Sequence, residues 1–292
     1  MPPLQRIVLI GVGLIGGSFV LDLQRQGLVR EVVGVDVDAD NLARALERGV
    51  IHQARTDVDA RLLAGTDLVL LATPVSTLPA LCAQLAPLLP AHTLVSDVGS
   101  TKQSALAAFK QHLPQQWPRC VAAHPIAGSD RHGALAAQFG LFKDRKLVLC
   151  PHPEQDTAAL AQVEALWQAV GAQTHCMSAA EHDAVFAAVS HLPHLLAYAY
   201  MHQIATADTR EQWLTFAGSG FRDFTRIAAS SPALWADIAL ANQDDLLRLL
   251  HTQQQQLTLL QQLLQQGNKS ELMRFFQVAS QAREHWQEQN NS

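Results

Sequence analysis

The chain has 292 residues, 48% of them apolar and 16% charged, with a formal net charge of −5. These values describe a globular protein with room for two domains, each burying its own core. The acidic balance and the lack of a basic block argue against a nucleic-acid surface.

Strand-like sequence begins within seven residues of Met1, leaving no room for a signal peptide. No apolar run reads as long enough to span a membrane, so a cytoplasmic protein is expected. Cys82, Cys120, Cys150 and Cys176 are widely spaced and form no C-x-x-C, so buried, reduced thiols are expected.

Ile7 to Ile10 is apolar and β-favouring, and reads as a buried parallel strand broken by glycines. Gly11, Gly13 and Gly16 make a G-x-G-x-x-G pattern. The first glycine suits a tight turn, the second close approach of a pyrophosphate, and the third close packing of helix on strand. Leu14 and Ile15 open a helix running to Gln26, whose unpaired N–H groups and positive dipole end face the phosphates. A second apolar run, Val32 to Val35, ends at Asp36, twenty positions after Gly16. An acid there accepts hydrogen bonds from the ribose of NAD and repels the 2′-phosphate of NADP. The alternative is a solvated strand end or a cap for the helix ending at Arg48.

The α/β rhythm continues through a short strand near Ile51 and a buried strand over 67–72. That strand ends at Thr73-Pro74-Val75, a loop at the carboxyl edge where the nucleotide should lie. A helix over 78–89 follows, then a strand over 93–97 leading through Gly99, Ser100 and Lys102 into a helix over 103–112. The strand 120–123 runs into His124-Pro125-Ile126-Ala127-Gly128-Ser129-Asp130. Strands at 146–150 and 173–176 flank a helix over 156–170. This alternation indicates a Rossmann-type, doubly wound parallel sheet over residues 1–175, an α/β class.

From Ser178 onward the pattern is helical, giving an all-α second domain over 176–292 for substrate binding and dimerisation. Val185, Val189, Leu192, Leu196 and Tyr200 form one stripe of a long helix interrupted by Pro193. A second long helix over 232–266 carries Leu246, Leu250, Leu257, Leu260 and Leu264. Gly267-Asn268 ends it, and Ser270 can cap a final helix over 271–288. Helices this long have more apolar face than one copy buries, which points to a homodimer.

A dinucleotide sheet followed by helices suggests hydride transfer in a cleft between them. His124, at a strand's carboxyl end, can serve as general base, or it is a histidine satisfied by backbone. Ser100 orients the imidazole or the substrate, or caps the helix that follows, with Lys102 solvated nearby. Ser190, His191 and His194 share one turn beside Pro193. The two histidines lack a third ligand, which leaves a cleft wall rather than a metal site. Arg222 and Arg226 are four apart on one helical face and suit two carboxylates, unless Asp223 pairs with them at the surface.

The stretches 11–18, 97–102, 124–129, 190–194 and 220–226, taken in that order, resemble the prephenate dehydrogenase family, whose members act on prephenate, arogenate or both. The resemblance runs from residue 5 to about 275. It implies NAD-dependent oxidative decarboxylation of prephenate to 4-hydroxyphenylpyruvate in tyrosine biosynthesis, with arogenate or dual specificity as the alternative. It implies that His124 takes the ring hydroxyl proton while Ser100 aligns hydroxyl and imidazole. It also implies that Arg226 binds the ring carboxylate, that Ser190, His194 and Arg222 meet the side chain, and that no metal is used. Relatives often carry glutamate where this chain has Asp130, and often add an ACT or chorismate mutase domain, which is not expected here. Dehydrogenases of similar layout that act on hydroxy acids or imines use a helical-domain lysine, and no lysine lies between Lys146 and Lys269. A nucleotide-sensing regulator would need the glycines and Asp36 but not His124 with Arg226.

Overall fold

A computed structural model describes residues 2–128 and 133–290, so Ser129 and Asp130 lie outside the described residues. The elements run β1 (Leu4–Ile10), α1 (Leu14–Arg25), β2 (Val29–Val35), α2 (Ala39–Glu47), β3 (Gln53–Arg55), α3 (Ala60–Leu63), β4 (Leu68–Leu71) and α4 (Leu78–Leu85). Then come β5 (Leu94–Asp97), α5 (Gln103–His112), β6 (Cys120–Pro125), β7 (Lys146–Cys150), α6 (Thr157–Ala169) and β8 (Gln173–Cys176). The remainder is helical: α7 (Ala179–Phe186), α8 (Leu192–Ala205), α9 (Arg210–Thr215), α10 (Ser219–Thr225), α11 (Pro232–Ala241), α12 (Gln243–Gln265) and α13 (Lys269–Asn290).

The eight strands form one sheet in the order β3-β2-β1-β4-β5-β6-β7-β8. Alternate residues of each buried strand feed two apolar layers, as the pleat requires. Ile7, Leu9, Leu68 and Leu70 join Phe19, Phe142 and Trp167 in one layer. Val8, Ile10, Val69 and Leu71 join Cys82, Phe109 and Trp117 in the other. One pairing departs from the expected all-parallel sheet: β7 runs antiparallel to β6. The described part of the connection between them holds a 3-10 turn at Ala134–Ala136 and no α-helix, so it supplies no crossover.

The described residues divide into two compact units, 1–243 and 244–292. In the first, the helix entered at α7 does not stop at Pro193. A π turn at Ala187–His191 takes up the irregularity, so the helix passes Pro193 without ending. The continuous helix 179–205 is therefore long and apolar enough, by length and composition, to cross a membrane, which corrects the expectation drawn from shorter runs. The expected apolar stripe is partly exposed, while polar side chains take buried positions on the same helix. Val185 is 41% exposed and Val189 68% exposed, whereas His182, Asp183 and His191 are buried.

The expected helix over 232–266 is two helices, because Asn242 leaves helical geometry between α11 and α12. In the second unit α13 begins at Lys269 and is capped by Asn268, whose Oδ1 accepts from the backbone of Glu271, rather than by Ser270. Cys82, Cys120 and Cys150 are buried as expected, but Cys176 is exposed.

Candidate active site

The strands β1, β2, β4 and β5 all end at one edge of the sheet, and the segments leaving them carry most of the candidate residues. Gly11 turns the chain with φ +89°, and a Cβ there would lie 2.5 Å from the carbonyl oxygen of Ala72. Only glycine satisfies both conditions. At Gly13 an added Cβ would meet nothing within 4 Å, so the surface above it is open. Gly16 is instead a packing residue, since its Cβ would lie 2.5 Å from Leu9 Cδ1 and 2.8 Å from Ala72 Cβ.

A cavity of about 750 Å³ covers this edge and is lined by Gly11, Gly13, Asp36, Asn41, Thr73 and Pro74, among others. Leu14, Ile15 and Gly16 do not line it; they start α1 beneath it. Asp36 Oδ2 accepts from Val12 N at 2.9 Å and from Asn41 Nδ2 at 3.2 Å, and Oδ1 accepts from Asp38 N at 3.0 Å. The carboxylate is thus held at the cavity wall with lone pairs to spare. A glycine-floored cavity, a helix amino end and a fixed acid together fit a dinucleotide.

His124 is half-buried at the carboxyl end of β6. Its Nδ1 lies 2.8 Å from His182 Nε2, and His182 Nδ1 lies 2.7 Å from Asp183 Oδ1. Asp183 also accepts the backbone N–H of Lys102 at 2.8 Å and of Gln103 at 2.9 Å, at the amino end of α5. Burial alone would raise the Asp183 pKa, but the hydrogen bonds from His182, Lys102 and Gln103 outweigh it and hold the carboxyl below its usual range. An ionised Asp183 can only accept, so the proton on His182 belongs to Nδ1. His182 Nε2 is then an acceptor, His124 Nδ1 donates to it, and His124 Nε2 carries the free lone pair. Burial first, then the charges of Lys102, His182 and His191, depress the pKa of His124 well below the ordinary histidine value. It is a neutral base with a defined nitrogen.

Lys102, expected to be solvated, is fully buried. Its Nζ donates to Asp97 Oδ2 at 2.5 Å and to the carbonyl of Ala123 at 2.6 Å, which ties the end of β5 to the strand carrying His124. Ser100 lies between these anchors. Its hydroxyl makes no hydrogen bond to another described residue, and it does not cap α5, a position occupied by Lys102 with Asp183 supplying the acceptor.

His194 Nδ1 donates to the carbonyl of Ser190 at 2.9 Å, and its ring stacks on Trp235 at 3.5 Å. Its pKa is lowered mainly by burial, against the Ser190 bond, with a contribution from the charge of Arg226. Among the described residues neither Arg222 nor Arg226 is paired with a carboxylate, so the surface pair with Asp223 does not form. Both arginines are exposed. His191 is buried and accepts from Asn242. His182, Asp183, Asn242 and Trp235 were not singled out in the sequence. The adjacent pair His182-Asp183 inside an apolar helix was the available signal, because two such residues are rarely buried unless paired.

Comparison with known proteins bears on both halves of the chain. Residues 19–176 match the family model described as the nucleotide-binding domain of prephenate dehydrogenase, and residues 178–278 match its dimerization domain. The chain is 34% identical to the prephenate dehydrogenase of Bacillus subtilis (strain 168), over 95% of this chain and 75% of that one. It is 32% identical to the cyclohexadienyl dehydrogenase of Zymomonas mobilis, over 86% of this chain and 85% of that one. The crystal structure of prephenate dehydrogenase from A. aeolicus in complex with hydroxyphenyl propionate and NAD+ superposes with a TM-score of 0.89 at 31% identity, covering 96% and 98% of the two chains. Synechocystis arogenate dehydrogenase gives 0.79 at 29% identity, covering 97% and 100%.

Proposed function

The chain belongs to the prephenate dehydrogenase family of oxidoreductases, and from that premise we propose that it converts prephenate and NAD to 4-hydroxyphenylpyruvate, CO2 and NADH. The observation that carries this reading is the base: a neutral His124 with Nε2 unprotonated, held through His182 by Asp183. NAD, when bound against Gly11, Gly13, Asp36, Thr73 and Pro74, supplies the two-electron acceptor; Leu14, Ile15 and Gly16 shape the helix end beneath it.

His124 Nε2 takes the proton of the ring hydroxyl. The resulting imidazolium keeps its Nδ1–H on His182, and Asp183 stabilises the pair without itself taking a proton. Ser100, whose hydroxyl has no partner among the described residues, holds the hydroxyl in line. Arg226 binds one carboxylate, while His194, His191 and Ser190 meet the side chain, with Arg222 at the mouth. Unpaired guanidinium groups suit carboxylates because their forked N–H donors are unspent. Loss of CO2 aromatises the ring, so the protein mainly has to position the reactants and remove one proton. Asp36 opposes a 2′-phosphate and favours NAD over NADP.

In this reading residues 1–175 bind the nucleotide, and residues 176–292 complete the substrate site and form a homodimer of a cytoplasmic enzyme. The exposed Val189 and Phe276 support the pairing, as does the dimerization description of the matched model. Arogenate is the second reading, favoured by the Synechocystis likeness. Assay of NADH or NADPH formation with prephenate and arogenate, each with NAD and NADP, tests both. The expected result is turnover with prephenate and NAD. Silence with all four pairs, despite measurable NAD binding, would refute the reading.

A further inference from the structure

Asn242 is buried at the break between α11 and α12, and all its side-chain bonds run toward the histidine cluster. Its Nδ2 donates to the carbonyl of Asp183 at 2.8 Å and lies 3.2 Å from His191 Nδ1. The Asp183 carbonyl can only accept, so the atom facing it must be the amide nitrogen, and the flip ambiguity of asparagine is removed. The second hydrogen of that NH2 group then points at His191 Nδ1, which has to be the acceptor. A neutral imidazole that accepts at Nδ1 carries its proton at Nε2. Burial, opposed by Asp183 and aided by His182 and His194, pushes the His191 pKa down to about 4, so the ring is neutral near pH 7. His191 is 1% exposed, and Nε2 has no partner among the described residues.

An N–H with no partner among the neighbouring side chains is open to an acceptor that reaches it. In the functional reading above His191 meets the side chain of the substrate, beside His194 one helical turn on. An uncharged donor matches a keto oxygen, which only accepts. It opposes an ammonium group, which only donates and would arrive with its own charge to desolvate.

We propose that Asn242 is a positioning residue that holds His191 in the Nε2–H form, and that this donor selects a substrate with a keto side chain over the same skeleton bearing an ammonium. The selectivity rests on the functional reading above; the tautomer does not.

Two measurements separate the parts. Nitrogen-15 NMR of histidine-labelled wild-type protein with NAD reports which nitrogen of His191 is protonated. Nε2–H with Nδ1 bare is expected, and the opposite tautomer overturns the proposal without any variant being made. Asn242→Asp keeps the size but replaces the donor with an acceptor. It should draw a proton onto His191 Nδ1, raise its pKa, and lower the prephenate-to-arogenate ratio of kcat/KM about tenfold, as loss of one matched polar contact does. An unchanged ratio together with an altered His191 proton overturns the selectivity. Absence of turnover by the wild type with either substrate, with the expected tautomer seen, overturns the functional reading and the selectivity with it.

Discussion

His124 is the residue on which the chemistry turns, and its strength as a base comes from its neighbours. Because burial, Lys102, His182 and His191 keep it neutral, kcat/KM for prephenate should persist below the ordinary histidine range and fall only as the pH passes through its depressed pKa. A pH–rate profile checks this, and a limb that falls at the ordinary value would contradict it. Stability follows the same histidines with a defined sign. His124, His182 and His191 titrate low in the folded chain but near about 6.5 when unfolded. Below that pH the unfolded chain binds more protons, so stability should be full above it and decline as the pH drops. Urea midpoints at neutral and mildly acidic pH measure the effect, and an increase on acidification would count against it. Asp183→Asn should lower kcat at least tenfold, about 1.4 kcal/mol of barrier, with the KM for NAD unchanged, because Asp183 orients the base and touches no nucleotide group. His124 and Asp36 were legible in the sequence because strand ends and glycine spacing mark them. His182, Asp183 and Asn242 were not, because their partners lie 58, 80 and 51 positions away and no local spacing encodes such a bond.

At the scale of elements, the strand–glycine–helix unit depends on one close contact. A methyl group at Gly16 would lie 2.5 Å from Leu9 Cδ1, so α1 cannot stay against β1 and β4 without moving. Gly16→Ala should destabilise by about 1–3 kcal/mol as an overpacked site and weaken NAD binding with it, measured by denaturation and titration. Stability and affinity at wild-type values would mean that α1 does not need this packing. Sequence periodicity located β7, β8 and α5 to the residue and the other strands to within about three residues, since buried strands are short apolar runs with sharp ends. It did not show which side chains helix 179–205 turns inward. Apolar residues mark a helix's core face only when that face is turned to the same chain, and here the inward face is spent on His182, Asp183 and His191.

The exposed side chains of that stripe matter for the molecule as a whole. Val185, Val189 and Tyr200 in the first unit, and Leu257, Leu264 and Phe276 in the second, are exposed large hydrophobics. Exposed large apolar side chains such as these, taken in each unit by itself, suit an interface. The protein should sediment as a dimer, and Val189→Arg should shift it toward monomer; a monomeric wild type would contradict the account. The break at Asn242 shows what composition could not reveal, because an uninterrupted apolar pattern over 232–266 hides a residue whose side chain bonds are spent elsewhere. The most direct test of the central claim is NADH formation from prephenate by the wild type and by His124→Asn, with NAD binding measured on both. The account predicts turnover by the wild type, a loss of about 10²–10⁴-fold in kcat for the variant, and equal NAD affinity. A variant that turns over prephenate at the wild-type rate would show that His124 is not the base.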